Sequence, residues 1–208
     1  AEIQKTAPNQ KKYYIIAGEA SGDLHGSNLM KALQQEDAQA EFRIWGGDRM
    51  EAAGGELIKH YRDLAFMGFW EVLINLRTIL GNIKFCKKDI LAYQPDVLIL
   101  IDYPGFNLRI ANWAQEQHLR VFYYISPQIW AWHTSRVHQI KTSVDQMFVI
   151  LPFEEDFYAK YNYAVNFVGH PLLDVVENYP KPPDFFEKNS LSQQPIIALL
   201  PGSRRQEI

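Results

Sequence analysis

Cysteine is nearly absent: Cys86 is the only one in 208 residues. A lone thiol excludes an intramolecular disulfide and fits a reducing cytosol. Charge of one sign is lacking too, since 21 Lys and Arg face 24 Asp and Glu for a net charge of −3. No global field attracts nucleic acid, which is therefore not an expected partner. No window approaches the roughly 18 consecutive apolar residues of a spanning helix, so any membrane contact would be peripheral. The opening AEIQKTAPNQKK is polar and lacks the apolar stretch of a secretory signal. Hydrophobic residues, at 47%, are plentiful enough to build a core.

Short apolar runs alternate with longer segments of helical period. Residues 12–18, 41–47, 95–102, 119–126, 145–151 and 164–170 read as strands. Most are continuously apolar, as in parallel strands covered on both faces. The helical segments are 22–35, 68–94, 107–118, 134–143 and 152–161. Strand and helix in turn predict an α/β fold with a doubly wound, Rossmann-like parallel sheet. The expected organisation is a polar lead-in over 1–12, one α/β domain over 13–177 and a proline-rich linker over 178–194. Residues 195–208, PIIALLPGSRRQEI, then read as the first strand and turn of a second domain. The alternative for that strand is pairing at the edge of the first sheet.

Several strand ends carry residues suited to chemistry. In AGEASGD (17–23), Gly18 and Gly22 allow a tight turn and close approach to a ligand, while Ser21, Gly22 and Asp23 sit where helix amides can meet an anion. Helix capping by Ser21 or Asp23 explains the same residues. Glu19 costs desolvation unless something polar meets it, and a sugar hydroxyl would serve. In LIDYPGFNLRIA, Asp102 ends an apolar strand, where it reads equally as a general base or as a helix cap. YISPQIWAWHTSRVHQIK joins Pro127, Trp130, Trp132 and His133 to Arg136 and Lys141. Aromatic rings stack on sugars and cations suit an anionic group, whereas core packing accounts for a tryptophan as readily. No acid or histidine near His133 has metal-ligand spacing, so no metal is expected. His170, in VGHPLLD, is open between turn and site.

Over 66–88, Phe69, Val72, Leu73, Leu76, Leu80 and Ile83 share one helical face, with Trp70 and Ile74 outside it and Arg77, Lys84, Lys87 and Lys88 nearby. The stripe alone reads as core. The surplus of large apolar residues beside cations is what a membrane-surface helix shows. In LLPGSRRQE, the Gly202–Ser203 turn and Arg204 make a small diphosphate cradle.

Taken in order, AGEASGDLHG, MGFWEVL, PDVLILIDYPGFN, SPQIWAWHTSRVHQIK, LPFEEDFY, VGHPLLD and LLPGSRRQE resemble the lipid-A-disaccharide synthase family. The resemblance runs from residue 13 onward. It implies a two-domain GT-B glycosyltransferase, with this chain holding the N-terminal domain and the opening of the C-terminal one. It also implies inverting transfer of 2,3-diacylglucosamine from UDP-2,3-diacylglucosamine to 2,3-diacylglucosamine 1-phosphate. The products would be a β-1,6-linked lipid A disaccharide and UDP, formed without cofactor or metal; the chain has no D-x-D motif. By position, Asp102 matches the family's essential aspartate and Arg204 its donor-phosphate arginine. Glu19, Ser21, Gly22, Asp23, Gly202 and Ser203 fall to the donor, and Pro127, Trp130, His133 and Arg136 to the acceptor. Gly105 departs from the family's frequent D-x-P-D-F-N, where a second acid stands.

Because each buried methylene is worth roughly 0.8 kcal/mol, such substrates stay in the bilayer. Met67, Phe69, Trp70, Leu73 and Leu76 are therefore assigned to an acyl-facing, membrane-touching surface. The implied location is cytoplasmic, peripheral on the inner face of the bacterial inner membrane, with a homodimer of the full-length protein left open. The 208 residues alone are expected to fold but scarcely turn over. The rivals are a GT-B UDP-sugar epimerase, a transferase for soluble acceptors, and a non-catalytic lipid-binding domain.

Overall fold

In the computed structural model, residues 10–64, 76–132, 134–177, 179–180, 182–191 and 197–199 are described. The chain divides into two units, Ala1–Pro171 and Leu172–Ile208. The first unit holds β1 (Lys12–Ala17), α1 (Ala20–Glu36), β2 (Glu41–Gly46), α2 (Asp48–Ala52), β3 (Glu56–His60), α3 (Leu76–Tyr93), β4 (Val97–Ile101) and α4 (Pro104–Glu116). It continues with β5 (Val121–Tyr124), α5 (Ile129–Trp132), α6 (Arg136–Ser143), β6 (Gln146–Val149), α7 (Phe153–Ala159) and β7 (Asn166–Phe167). The strands form one sheet in the order β3-β2-β1-β4-β5-β6-β7. Every neighbouring pair is parallel. The doubly wound sheet expected from the sequence is therefore the fold.

The apolar runs are continuous because both sheet faces are covered. Tyr14 and Ile16 of β1 join the core formed with Ile83, Cys86 and Ile90 of α3 and with Ile110 and Ala114 of α4. Ile15 and Ala17 point the other way, into a second core with Met30 and Met50. This is the period of two expected of a strand. From β1 the chain winds toward β2 through α1, and from β4 it winds toward β5 through α4. Right-handed crossovers in opposite directions put those helices on opposite faces and leave a crevice between the carboxyl ends of β1 and β4.

Several elements differ from the sequence reading, among them β3, α2, the short α5 and the start of α1. β3 and α2 were not anticipated, because the edge strand ELIKH mixes polar and apolar residues and α2 is five residues long. α1 begins at Ala20, so Gly22 lies inside the helix rather than in a turn. Its buried stripe of Gly22, Asp23, Gly26, Ser27 and Met30 is mostly small. A Cβ on Gly26 would stand 2.6 Å from the Met50 sulfur, so glycine lets helix and neighbour close up.

In the second unit, α8 (Leu172–Glu177) and α9 (Phe185–Lys188) have no buried residue. Of the strand expected from Pro195, residues 197–199 carry no strand pairing; its remainder and the GSRRQEI turn lie outside the described residues.

Candidate active site

The crevice between β1 and β4 is built from two loops. Ala17 and Ile101 are register partners at the strand ends, and each chain leaves the sheet immediately afterwards. After β1 comes Gly18, whose absent Cβ would lie 2.3 Å from the Tyr103 ring. Only glycine lets that ring pack over the β1 turn. Glu19 then takes the N-cap position of α1 in extended conformation, with no side-chain capping bond. Ser21 is exposed beside it.

After β4, Asp102 and Tyr103 both turn left-handed, at φ +44° and +50°, and Ile125 at the end of β5 does the same at +64°. Such conformations cost of the order of 1–3 kcal/mol each and persist only where surroundings enforce them. Three of them on two adjacent strand ends mark the carboxyl edge as a strained, constructed region. Tyr103, and not Asp102, is the N-cap of α4, and its side chain makes no cap.

Asp102 is partly open to water. Burial pushes its carboxyl up to about 6, the Glu19 carboxylate pushes it the same way, and the backbone N–H of Tyr103 opposes them. A carboxylate with a pKa near working pH, at the lip of a crevice, can accept a proton from a hydroxyl. Behind it, two side chains that the sequence reading left unassigned hold the Asp102 carbonyl. Asn107 Nδ2 donates to it at 2.8 Å and Tyr123 Oη at 2.5 Å.

Asp23 needs correcting. Its side chain is buried, and its carboxylate accepts the amides of Gly47 (2.8 Å), Arg49 (3.1 Å) and Met50 (3.0 Å). It caps the start of α2 across the fold and is not free to meet a donor sugar. The glycine at 22 serves the same close packing: its Cβ would stand 3.0 Å from that of Ala17.

Around β5, Pro127 is buried and Arg136 is half-buried, its charge opposing the burial that pushes the Tyr123 hydroxyl well above its usual value. Trp130 meets Phe153 edge-on at 5.0 Å, and its buried Nε1 has no partner among the described residues. Core packing thus accounts for the ring, and the indole N–H remains a spare donor. His133 and the Trp132 side chain lie outside the described residues, as do Met67, Phe69, Trp70, Leu73, the Leu76 side chain, Gly202, Ser203 and Arg204.

The sequence reading also passed over Glu154. Buried at the start of α7, it accepts the amides of Ile150 (3.2 Å) and Leu151 (2.9 Å), while Ser126 bonds Tyr158 Oη at 2.7 Å. A glutamate in a first helical turn can reach back to the amides just before the helix, and that three-residue spacing from Leu151 was readable in LPFEEDFY, although Pro152 at the N-cap has no hydroxyl to complete a capping box. Asn107 was readable only as a member of the loop motif, because its bonds depend on the backward turn of Asp102. Among the described residues no three of His, Cys, Asp or Glu gather as a metal site.

Residues 13–208 match the family profile described as lipid-A-disaccharide synthetase. The lipid-A-disaccharide synthase of Trichlorobacter lovleyi is 46% identical over 95% of this chain and 52% of its own length. That of Geobacter metallireducens is 45% identical over 98% and 53%, and that of Coxiella burnetii 41% over 96% and 54%. The chain thus spans about half the length of the curated relatives it matches. Two solved structures share the fold at low identity. A UDP-GlcNAc 2-epimerase from Neisseria meningitidis aligns at TM-score 0.58 and 9% identity over 80% of this chain and 48% of that one. A putative UDP-N-acetylglucosamine 2-epimerase from Listeria monocytogenes aligns at 0.61 and 11%, over 86% and 50%. With the family profile spanning nearly the whole chain and three relatives above 40% identity, the chain belongs to the lipid-A-disaccharide synthetase family.

Proposed function

We propose that this chain supplies the acceptor-side half of a lipid-A-disaccharide synthase. Asp102 takes the proton from the 6-hydroxyl of 2,3-diacylglucosamine 1-phosphate. That oxygen attacks the anomeric carbon of UDP-2,3-diacylglucosamine from the face opposite the diphosphate. One C–O bond forms, the bond to UDP breaks with inversion, and the proton stays on Asp102. The diphosphate is held by the Gly202–Ser203 turn and Arg204, with Glu19 and Ser21 nearer the sugar. Pro127, Trp130, His133 and Arg136 face the acceptor, Arg136 offering charge for its phosphate.

The observation that carries this reading is the carboxyl of Asp102, raised to about 6 at the lip of the β1–β4 crevice. Such a group is ionised at neutral pH yet basic enough to accept a proton. The test is UDP release by a full-length protein carrying this chain, given both acylated sugars. Asp102→Ala should reduce turnover by about 10²–10⁴-fold with the fold intact; wild-type turnover in that variant would overturn the assignment.

The acylated substrates bring the protein to a membrane surface. No helix of the described residues is long and apolar enough to cross one. Support for surface contact comes from α3, whose outer side exposes Leu80, Phe85 and Leu91. Arg77, Lys84 and Lys88 are exposed on the same side. Ile83, Cys86 and Ile90 face the core instead, so Leu80 and Ile83 do not share one environment as the stripe suggested. Membrane contact by Met67, Phe69, Trp70, Leu73 and Leu76 would place the enzyme on the cytoplasmic leaflet. Replacing Trp70 and Leu73 by Ser should release the full-length protein from anionic liposomes, and unchanged sedimentation with vesicles would end the idea.

A further inference from the structure

The carbonyl of Asp102 is held in an unusual way. The peptide N–H of Asp102 still bonds across the sheet to the Tyr124 carbonyl at 3.1 Å. Its own C=O, after the left-handed turn, accepts from two side chains, Asn107 Nδ2 and Tyr123 Oη. Both donors are completely buried. The Asn107 amide also reaches the carbonyls of Ile101 at 3.2 Å and Ile16 at 3.4 Å, the strand ends on either side of the crevice.

Local chemistry does not require two donors for one carbonyl. An extended residue 102 would direct its carbonyl and its side chain differently, and the left-handed pair 102–103 is costly for Tyr103 in particular. Whatever keeps the chain in that turn therefore sets where the carboxylate sits. We propose that Asn107 and Tyr123 are positioning residues for Asp102: gripping its carbonyl from behind, they keep the backbone turned and the carboxylate at the crevice, within the field of Glu19. This rests on the reading of Asp102 as the base.

A merely structural role for the two donors would lower the melting temperature and leave catalysis by the folded protein alone. A positioning role moves catalysis itself. Tyr123→Phe is the safer variant, because it keeps the ring in the core and leaves the carbonyl one partner. In a full-length protein carrying this chain, Tyr123→Phe and Asn107→Ala should each lower kcat about 10- to 100-fold with KM little changed, as for a misplaced catalytic group. The acid limb of kcat/KM, set near 6 by Asp102, should move downward as the carboxylate swings toward water. The double variant should lose little more than the worse single one, because both donors act on a single atom.

If Asp102→Asn keeps full turnover, the reading of Asp102 as base fails. If Asp102→Asn is inactive while folded Tyr123→Phe keeps wild-type kcat and an unmoved acid limb, the positioning role alone fails. Should Asn107→Ala not fold, Tyr123→Phe by itself decides between these outcomes.

Discussion

Two aspartates set against the same sheet meet opposite fates. Asp89, on α3, receives the Arg43 guanidinium at 2.8 and 2.9 Å and the Tyr14 hydroxyl at 2.8 Å. Trp45 in turn donates to Tyr14 at 2.7 Å. Tyr14 and Arg43 are register partners on β1 and β2, so this network ties α3 to the middle of the sheet. At the carboxyl end of the adjoining strand, Asp102 meets no cation of this kind among the described residues. It has another carboxylate in its field, and its backbone is strained. The first acid is solvated by the protein and stabilises the fold. The second is left under-solvated where a substrate could complete its surroundings, which is how a fold sets aside a reactive group.

The comparison is broken most severely by neutralising each acid in turn. Asp102→Asn should abolish most turnover yet make the protein more stable at neutral pH. Because burial and Glu19 raise the carboxyl from 3.8 to about 6, the folded chain binds the proton more tightly than the unfolded one. Stability therefore falls as pH rises between those values and is flat above them. Two units correspond to about 3 kcal/mol at most, and solvent screening of a partly open group reduces this to about 1–2 kcal/mol. The gain in Asp102→Asn should appear at pH 7 and vanish near pH 4 in denaturant titrations. Asp89→Asn should do the reverse. It leaves Arg43 with Glu56, at 3.1 Å, as its charged partner and takes a charged acceptor from Tyr14, which should cost about 1–3 kcal/mol, with kcat of the folded protein unchanged. A destabilised Asp102→Asn at pH 7 would erase the contrast.

A second substitution tests whether the strained edge depends on its packing. Gly18→Ala would place a methyl carbon 2.3 Å from the Tyr103 ring. The atoms it would meet, Cγ, Cδ1 and Cδ2, are the near edge of a ring on a residue held in a left-handed turn, and displacing them should cost about 1–3 kcal/mol. Turnover should fall with it, since Tyr103 follows Asp102 directly. Gly81 on α3 has nothing within 4 Å of the equivalent position and is the control. Gly81→Ala should leave both stability and turnover within experimental scatter or slightly improve the helix. Equal effects at the two glycines, read from melting temperature and initial rate, would show that the carboxyl edge is not specially packed.

Much of this was readable before any coordinates. Continuous apolar runs named β1, β4 and β5, and the strand-end Asp102 in LIDYPG stood out as a carboxylate at a sheet edge. Edge elements were harder: β3 mixes polar with apolar residues because only part of it is covered. Asp23 shows a deeper limit. Its sequence neighbours suggest an anion site or a cap for its own helix, whereas its partners are amides 24 to 27 residues away. Long-range hydrogen bonds carry no local signature. The same holds for Asn107 and Tyr123, whose roles exist only once Asp102 has turned left-handed. Glu154 is the exception, since its partners lie three and four residues back and the capping spacing was there to be read.

The mildest test touches Glu19. Its carboxylate is the second cause of the high Asp102 value, after burial. Glu19→Gln removes the like charge while keeping size and hydrogen-bonding capacity. Asp102 should then ionise more readily, and the acid limb of kcat/KM should move down by about half a pH unit. It should stop short of an ordinary aspartate because burial persists. At pH 7, where Asp102 is already mostly ionised, kcat should change less than about threefold if Glu19 acts only through charge. A direct contact with a sugar hydroxyl predicts something different, a rise in KM for one substrate at every pH, since an amide replaces a charged acceptor. The two outcomes separate a residue that tunes its neighbour from one that touches the ligand. An unmoved limb would mean that the crevice water already screens Glu19 from Asp102, and that burial alone prepares the base.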